Sequence, residues 1–525
     1  MSDLLNAMKK DTNYGYTENG AVKHNSTLDK VLDMFAMGGS YRNRTDKDVE
    51  ILFGDAYRQN KELALKCLFY LRDVRGGQGE RRFFRVAYKW LCRNDEQVAR
   101  INLGFVPEFG RWDDLIDIIY ESRNSNSAIV KAGMLQIITQ LSLDESCKTP
   151  SLLAKWMPSE NASSKETKAK AHWIRTYMKK DSKQYRKMLS ELRKKINILE
   201  TLMSENRWDE IEFDKIPSVA GIRYRNAFAR KEVTAARYAA FMADKKTTVR
   251  AATINPVDIA AQILGNGYWS KPLTQVDIDT LCKYWDNLTD YYQGREENAI
   301  AMIDVSGSME GQPLHAAVGM GAYVAEKSHG PFANHFITFS QHPQLVEFRG
   351  DNIVDKMRRC VQADWGMNTN VEAAMDLILD TAIKNHLSQK DLPARLYIFS
   401  DMEFDACMSD NSTDEFEIFY IRKSKKSYES YETLFETIEK RFAEAGYEMP
   451  QITFWNLNAR SNNIPAIGDK FNYISGFSMS QMEAIMAGKT AVDMMLDVLN
   501  KKRYSVLRVI GNFDSGEATM ACSEI

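Results

Sequence analysis

The sequence has little cysteine and no long apolar run, and each of these absences excludes a class of protein. Its seven cysteines among 525 residues are scattered and contain no C-x-x-C spacing, which argues against a disulfide framework and against a thiolate zinc site. No apolar stretch of about 18 residues occurs, and the first residues lack the apolar segment of a secretory signal. We therefore expect a cytoplasmic protein, without membrane insertion, whose thiols are reduced and mostly buried.

Proline and glycine are also sparse, at 12 and 28 residues, whereas 44% of the residues are hydrophobic and 27% are charged. This composition is typical of a globular protein and excludes collagen-like, low-complexity and disordered chains. At about 100 to 200 residues per domain, the length predicts two to four folding units.

The small net charge of −2 hides an uneven distribution. Residues 1–300 carry a net charge of +8 and residues 301–525 carry −10. Residues 151–250 alone carry a net charge of +11, which exceeds that of residues 1–300 as a whole. Such a stretch attracts polyanions, although solvated helix faces explain a run of charge equally simply.

Residues 27–290 have the pattern of amphipathic helices. Five apolar residues separated by three or four positions predict one apolar stripe along a helix. They are Leu189, Leu192, Ile196, Leu199 and Met203. Other helices are predicted at residues 61–74, 81–93, 112–122, 128–143 and 225–244. Because such short helices must bury their stripes against each other, we expect a HEAT-like stack of helix pairs.

After residue 296 the pattern changes to alternating strands and helices. Short apolar runs typical of buried parallel strands occupy residues 298–306, 335–340, 395–401 and 451–457. Helical stretches lie between them at residues 313–328, 371–386 and 431–446. This alternation predicts a doubly wound, Rossmann-like α/β domain with a ligand site at the carboxyl ends of its strands. The predicted division is an N-terminal extension (1–26), a helical-repeat domain (27–295) and an α/β domain with a C-terminal helical segment (296–525).

Five oxygen-bearing side chains form a candidate metal site in the second half. Asp304, Ser306 and Ser308 follow the first predicted strand in a D-x-S-x-S pattern. Thr369 lies in the loop before a predicted helix, and Asp401 ends a predicted strand. These donors are hard oxygen ligands, which suit Mg²⁺ or Mn²⁺. The alternative, in which Ser and Asp cap a strand-to-helix turn, explains only the first three residues.

This residue set resembles the metal-ion-dependent adhesion site (MIDAS) of von Willebrand factor A (vWA) domains. D-x-S-x-S, a distal Thr and a distal Asp occur here in the order of that family. Three of the five donors are neutral hydroxyls, so a bound dication stays under-compensated and accepts an acidic oxygen. In vWA domains a partner usually supplies that oxygen as a Glu or Asp carboxylate. The resemblance implies a binding site rather than a hydrolytic one, with a protein partner that supplies a carboxylate.

Four segments of the helical half carry a second resemblance. They are LFYLRDVRGGQGERRFF (68–84), FGRWDDL (109–115), LLAKWMPSE (152–160) and NRWDEIEFDKIPS (206–218). They resemble signatures of a group of vWA proteins related to the TROVE family, which includes the Ro ribonucleoprotein. TROVE proteins combine a ring of helical repeats with a C-terminal vWA domain, and the ring binds small non-coding RNA and the ends of defective RNA. The resemblance implies an RNA-binding, ring- or horseshoe-shaped body.

Basic residues are the ones we expect to contact RNA. In the most basic stretch they are interleaved with Trp173, Tyr177 and Tyr185, which permits phosphate contacts with some base stacking. The candidates are Arg75, Arg81, Arg82, Lys165, Lys168, Lys170, Arg175, Lys179, Lys180, Lys183, Arg186 and Lys187. The first three surround the glycine-rich turn Gly76–Gly79, whose backbone N–H groups offer a phosphate site, although a simple helix connection explains that turn equally well.

No sequence motif indicates catalysis. Gly488-Lys489-Thr490 resembles the end of a P-loop, but Glu483 occupies the position of its first glycine. The histidines lack metal-ligand spacing, and no G-x-S-x-G elbow occurs. We therefore predict a non-catalytic RNA-binding ribonucleoprotein with a metal site. Two alternatives stay open: a metal-dependent protein-interaction scaffold that binds no nucleic acid, and metal-dependent phosphoester hydrolysis.

Overall fold

The structure, a computed structural model, divides into two compact units. It describes residues 12–125, 127–196, 199–265, 272–338, 343–362, 370–404 and 434–509. Within these residues, one unit contains 46–75, 79–205 and 499–509 and is called the helical unit. The other contains 12–45, 76–78 and 206–498 and is called the sheet unit. The predicted boundaries at residues 26/27 and 295/296 stay a prediction.

A hairpin and a helix at the N-terminal side belong to the sheet unit. Strand β1 (Tyr14–Tyr16) pairs antiparallel with β2 (Val22–His24). Helix α1 (Lys30–Met37) follows, and the Asp29 carboxylate accepts hydrogen bonds from two N–H groups of its first turn. The sequence pattern predicts only an extension over residues 1–26, so this hairpin is a finding of the structure.

The helical unit is made, within the described residues, of α-helices joined by short turns. Its aromatic core includes Phe69, whose ring lies edge-on to those of Phe84 and Phe109 at centroid distances of 5.3 and 5.2 Å. The helices are α2 (Asp46–Gln59), α3 (Lys61–Arg72), α4 (Arg81–Asn94), α5 (Glu96–Asn102), α6 (Val106–Phe109), α7 (Trp112–Glu121), α8 (Ser127–Ser146), α9 (Leu153–Trp156), α10 (Lys165–Tyr177), α11 (Ser182–Ile196) and α12 (Leu199–Ser204).

The predicted apolar stripe lies on α11 and α12. Leu189, Leu192 and Leu199 are buried, as the spacing predicts, whereas Ile196 and Met203 are half-buried. Residues 197–198, between the two helices, lie outside the described residues.

The last described residues, 499–509, pack in the helical unit. The buried Asp73 carboxylate accepts hydrogen bonds from the Arg503 guanidinium and from the Tyr504 hydroxyl, the latter at 3.1 Å. The Tyr504 ring stacks on Phe109 with 5.6 Å between the centroids. A buried charge pair and an aromatic stack therefore anchor this segment.

Four further α-helices of the sheet unit precede the main sheet within the described residues. They are α13 (Ser218–Arg230), α14 (Glu232–Ala243), α15 (Pro256–Leu264) and α16 (Gln275–Asp286). The prediction of one helix over residues 225–244 is wrong, because the chain leaves the helical conformation at Lys231, where φ is −78° and ψ is 120°.

A six-stranded mixed sheet forms the core of the sheet unit within the described residues. Its strands are β3 (Ala299–Ile303), β4 (His335–Thr338), β5 (Leu345–Glu347), β6 (Arg395–Ser400), β7 (Gln451–Asn456) and β8 (Phe471–Ser475). The accompanying helices are α17 (Gln312–Lys327), α18 (Ile353–Val361), α19 (Val371–Lys384), α20 (Leu434–Glu444), α21 (Met482–Met486) and α22 (Ala491–Leu499). The prediction of a helical region followed by an α/β region is confirmed at this level.

The strand order is β5-β4-β3-β6-β7-β8, and every neighbouring pair is parallel except β4 with β5. The chain therefore starts in the middle of the sheet at β3, moves outward through β4 and β5, and returns to the other side of β3 with β6. This reversal is a topological switch point, and ligands of open α/β sheets bind beside such points at the carboxyl ends of the strands.

Close helix packing and buried thiols complete the core. Gly319 lets α17 approach α15, since a β-carbon at this position would lie 2.7 Å from the Pro256 carbonyl oxygen. Five cysteines fall within the described residues, and all of them are free: 67, 92 and 360 are buried, 282 is half-buried and 147 is exposed. Among the described helices, none has the length and apolar character needed to span a bilayer.

Candidate metal centre

Asp304 and Asp401 meet at the switch point because they follow neighbouring parallel strands. Asp304 comes directly after β3 and Asp401 directly after β6. The strands are paired with Ile303 opposite Phe399, and the Asp304 N–H donates to the Phe399 carbonyl at 3.0 Å. Both carboxylates therefore leave the sheet at the same edge, as the sequence predicts.

The turn after β3 directs three polar side chains to one place. The Ser306 N–H donates to Oδ1 of Asp304 at 2.9 Å, which closes the turn. The Ser306 and Ser308 hydroxyl oxygens lie 3.0 Å apart. Oδ2 of Asp304 accepts a hydrogen bond of 2.7 Å from the Ser400 hydroxyl, at the end of the neighbouring strand. Asp304 is thus fully buried and held from two sides.

Asp401 is buried with one oxygen unpaired. Its side chain is 0% exposed, and Oδ1 accepts a hydrogen bond of 3.2 Å from the Glu403 N–H. Oδ2 has no hydrogen-bond partner within the described part of the chain, and its charged neighbour, Arg460 Nη1, is 3.8 Å away. Burial, followed by the charge of Asp304, raises the pKa of the Asp401 carboxyl to about 6. The ion pair with Arg460 is long and is shared with Glu18, so it compensates this buried anion only partly.

The donors assembled here are two carboxylates and two hydroxyls. An all-oxygen set suits a hard divalent cation, and the unpaired Oδ2 of Asp401 is the atom that a cation would satisfy. Within the described ranges, no group of three or more His, Cys, Asp or Glu side chains is arranged to hold a metal ion. A cation at this edge would therefore depend on hydroxyl ligands as well as on carboxylates. Thr369, the fifth predicted ligand, lies outside the described residues.

The N-terminal hairpin contacts the segment that follows Asp401. The buried Glu403 carboxylate accepts hydrogen bonds of 2.8 Å from the Glu18 N–H and from the Ser461 hydroxyl. The Asn19 side chain donates to the Glu403 carbonyl at 2.7 Å, and the Thr17 hydroxyl donates to the Phe404 carbonyl at 2.6 Å. Residues 17–19 therefore fix the backbone beside Asp401.

The loop after β7 completes the surroundings of the site. The Asn458 side chain donates to the Ser308 carbonyl at 3.3 Å and accepts from the Asn43 side chain at 3.2 Å. Arg460 forms an ion pair with Glu18 and approaches Asp401. Sequence reasoning missed these residues, because only the pairing of β7 with β6 brings them to the site.

Met402 has a left-handed backbone conformation directly after Asp401. Its φ is 67°, which is uncommon for a residue with a long side chain. The Met402 N–H donates to the Ser400 hydroxyl at 3.0 Å, and its carbonyl accepts a hydrogen bond from the Asn463 side chain. Such strained residues cluster at functional sites, where the surrounding structure holds them in place.

Five of the predicted RNA-contacting residues are ion-paired within the helical unit. A paired cation attracts a phosphate less strongly than a free one, because its neighbour already neutralises it. The pairs are Arg81 with Asp113, Arg82 with Asp46, Lys170 with Asp117 and Glu166, Arg175 with Glu160, and Lys187 with Glu191. Arg75 and Arg186 donate to the carbonyls of Glu108 and Ser182.

The remaining five candidates form no ion pair with any described residue, and four of them are exposed. They are Lys165, Lys168, Lys179, Lys180 and Lys183, all on α10, on α11 or between them. The interleaved aromatic residues differ in exposure. Tyr185 is buried, with its hydroxyl on the Pro158 carbonyl at 2.8 Å. Trp173 lies edge-on to Tyr120 at 5.5 Å, and Tyr177 is 40% exposed.

The glycine-rich turn Gly76–Gly79 uses backbone groups at its end for packing. The Gly79 N–H donates to the Asp73 carbonyl at 3.1 Å, and the next N–H, of Glu80, donates to the Leu71 carbonyl at 2.7 Å. These bonds favour the helix-connection interpretation of the turn over a phosphate site.

Comparisons with known proteins agree with a two-part chain. Residues 17–146 and 140–287 match the family described as Domain of unknown function (DUF2828). Residues 298–507 match the family described as Domain of unknown function (DUF7788).

A viral protein and a bacterial structure are similar to this chain. Uncharacterized protein L728 of Acanthamoeba polyphaga mimivirus is 31% identical over 530 residues, which cover 93% of this chain and 87% of that protein. The crystal structure of the Deinococcus radiodurans RO (RSR) protein is similar with 14% identity and a TM-score of 0.40, over 90% of this chain and 99% of that one. The latter likeness is too distant to carry a functional conclusion. The DUF2828 match and the extended similarity to the mimivirus protein show that the chain belongs to the DUF2828 family.

Proposed function

We propose that this protein binds RNA through its helical unit and holds Mg²⁺ or Mn²⁺ at the switch point of its sheet, without catalysing a reaction. In this proposal the helical part is a HEAT-like repeat body related to TROVE proteins, and the sheet with its helices is a vWA domain. The RNA is small and structured or single-stranded, and the metal binds an acidic group of a protein partner.

The observation that carries the metal half is the buried Oδ2 of Asp401 beside Asp304, which accepts no hydrogen bond from the described residues and has only a long ion pair with Arg460. The residues that would hold the ion are Asp304, Ser306, Ser308 and Asp401, with Thr369 as the predicted fifth. When bound, the ion supplies an electropositive centre for a carboxylate oxygen. The strand order and the position of both aspartates at the switch point support the vWA assignment.

Calorimetric titration of EDTA-treated protein with MgCl₂ and MnCl₂ tests the metal half. We expect one binding event in the wild type and none in Asp304→Asn, because this variant removes a carboxylate ligand while it keeps the side-chain shape. Asp469→Asn is the matched control, since Asp469 is exposed and lies outside the site. Equal binding by the wild type and Asp304→Asn would contradict the proposal.

The observation that carries the RNA half is the set of unpaired lysines on and between α10 and α11. Phosphate contacts by free lysines release counterions, so the affinity falls as salt rises. The slope of log affinity for single-stranded RNA against log salt concentration measures how many such contacts form. In the triple variant Lys165→Ala, Lys168→Ala, Lys183→Ala we expect the magnitude of this slope to be smaller by about 2.

Filter binding of a single-stranded RNA between about 50 and 200 mM salt measures this slope. The control replaces three exposed lysines elsewhere, Lys131, Lys384 and Lys390. A wild-type affinity that does not change with salt, or equal slopes for both triple variants, would remove the RNA half of the proposal.

A metal-dependent protein-interaction scaffold is the second candidate. The ion pairs that occupy Arg81, Arg82, Lys170 and Arg175 favour it, because they leave fewer cations for RNA. Salt-independent RNA binding combined with Asp304-dependent metal binding would support this candidate over the first.

A further inference from the structure

A cavity of about 410 Å³ lies in the helical unit beside α11. Its volume is within the range of pockets that hold small ligands. Arg186, Arg193 and Lys194 line it from one helix. Positions seven and eight residues apart share a helix face, so these cations point toward the same space.

Arg193 is half-buried and has no acidic partner. Its guanidinium donates to the carbonyls of Ala154 and Met157 at 2.9 Å and to the Ser159 hydroxyl at 3.0 Å. All three acceptors are neutral, and no carboxylate of the described residues forms an ion pair with it. Burial lowers the pKa of Arg193, as expected for a cation that lacks a counter-charge. The bonds hold the guanidinium in place and leave its positive charge uncompensated.

The other two cations are available to a ligand. Among the described residues, Arg186 donates only to the Ser182 carbonyl, at 3.2 Å. Lys194 is exposed and has no hydrogen-bond or ion-pair partner within the described chain.

Acidic residues in the wall do not cancel these charges fully. Glu160 also lines the cavity, but its carboxylate is engaged by Arg175 at 2.8 Å and by the Ser182 hydroxyl at 2.5 Å. Glu205 lines the cavity too, so two carboxylates face three cations, and the Glu160 carboxylate is already engaged. The balance favours an anionic ligand.

The rest of the wall combines hydroxyl groups with apolar surface. Ser190, Thr201 and Ser204 provide hydrogen-bonding groups, while the buried Tyr185 and Leu189 provide an apolar part. A phosphate joined to a sugar and a base has this mixture of an anionic end and a less polar body.

We propose that this cavity binds a phosphate monoester, at the end of an RNA strand or on a free nucleotide. A monoester carries a charge of about −1.5 to −2 at neutral pH, whereas a phosphate within a strand carries a single negative charge. Three cations on one helix face therefore suit the monoester better. Binding of an RNA end at this cavity rests on the proposed RNA binding, whereas binding of a free nucleotide does not depend on it.

Fluorescence polarisation with the full chain tests this assignment. Three RNA oligonucleotides of one sequence are compared: one with a 5′ phosphate, one with a 3′ phosphate, and one with hydroxyls at both ends. AMP and inorganic phosphate serve as competitors. We expect one phosphorylated end to bind about tenfold more tightly than the hydroxyl end, because hydrogen bonds to a charged phosphate are stronger than those to a neutral hydroxyl.

Lys194→Ala and Arg186→Gln should remove most of this preference, because both side chains line the cavity. Lys195→Ala is the matched control, since Lys195 has the same charge on the same helix and donates to the Glu145 carbonyl instead. Arg193→Lys keeps the positive charge but loses the three hydrogen bonds that hold the guanidinium in place. Thermal unfolding checks that each variant is folded.

Loss of the preference in Lys194→Ala but not in Lys195→Ala supports the assignment. Salt-dependent RNA binding without any end preference, and without competition by AMP or phosphate, overturns it and leaves the proposed RNA binding intact. AMP binding that requires Lys194, in a protein that does not bind RNA, supports the monoester site and contradicts the RNA half of the proposed function.

Discussion

The Ser400 hydroxyl donates a hydrogen bond of 2.7 Å to Oδ2 of Asp304, from the end of β6 to the end of β3. The same hydroxyl accepts a hydrogen bond of 3.0 Å from the Met402 N–H. The Ser400 side chain therefore orients Asp304, the first predicted metal ligand. It also stabilises the strained turn at Met402, directly after Asp401.

Ser400→Ala should weaken Mg²⁺ binding by about tenfold, because residues that orient metal ligands typically contribute 10- to 100-fold in affinity. Calorimetric titration with MgCl₂ measures this change. Thr453→Val is the control: Thr453 is buried on the adjacent strand β7, and its hydroxyl has no hydrogen-bond partner within the described residues. Unchanged affinity in Ser400→Ala would show that Asp304 does not need this bond.

Asp401→Asn should stabilise the protein when metal is absent. The substitution removes a buried charge that faces Asp304 and is compensated only by a distant Arg460. For each kcal/mol by which the free energy of unfolding increases, we expect the unfolding temperature in EDTA to rise by about 2–4 °C. Added Mg²⁺ should raise the wild-type value and leave the variant unchanged. A lower unfolding temperature of the variant in EDTA would contradict the repulsion argument.

Arg460→Gln should strengthen Mg²⁺ binding, since the guanidinium lies 3.8 Å from Oδ2 of Asp401 and repels an incoming cation. We expect a gain of about twofold to fivefold that shrinks at high salt, because the side chain is partly exposed. Arg349→Gln is the matched control, as Arg349 pairs with Glu347 at the far edge of the same sheet. Weaker Mg²⁺ binding in Arg460→Gln would contradict this repulsion and show that Arg460 helps to hold the metal site in place.

Arg503→Ala should destabilise the helical unit by about 3 kcal/mol, because it leaves the Asp73 carboxylate buried without its cation. Thermal unfolding gives the loss, and limited proteolysis should show earlier cleavage near residue 503. Lys502→Ala, a neighbouring exposed lysine, is the control. Equal stability of the two variants would show that the Arg75 N–H and the Tyr504 hydroxyl satisfy Asp73 without the guanidinium.

The sequence patterns predict the middle of the sheet well. β3, β4, β6 and β7 all lie within the predicted segments, because each is a short apolar run buried on both faces. Strand β8 was missed, since Asn472 and Ser475 interrupt its apolar pattern although both are buried. The edge strand β5 was also missed because it has three residues and is largely exposed.

The candidate site was predictable where its residues follow strands along the chain. Asp304 and Asp401 belong to this group, and Ser400 offered a signal that was overlooked, a polar residue at the end of a buried strand. Arg460 and Glu18 could not be found in this way, because 442 residues of sequence separate two side chains that form one ion pair. The RNA candidates show the same limit, since Lys170 pairs with Asp117 on another helix. RNA binding, the metal and the TROVE relationship stay predictions.

The contribution of residues 17–19 to the surroundings of Asp401 has a practical consequence for truncation. A shortened protein cut at residue 298, where the DUF7788 match starts, would lose the donors that Glu18 and Asn19 supply to Glu403. A piece that starts at this family boundary therefore lacks the contacts that fix the backbone beside Asp401. Any minimal version designed for crystallography should retain the first forty-five residues.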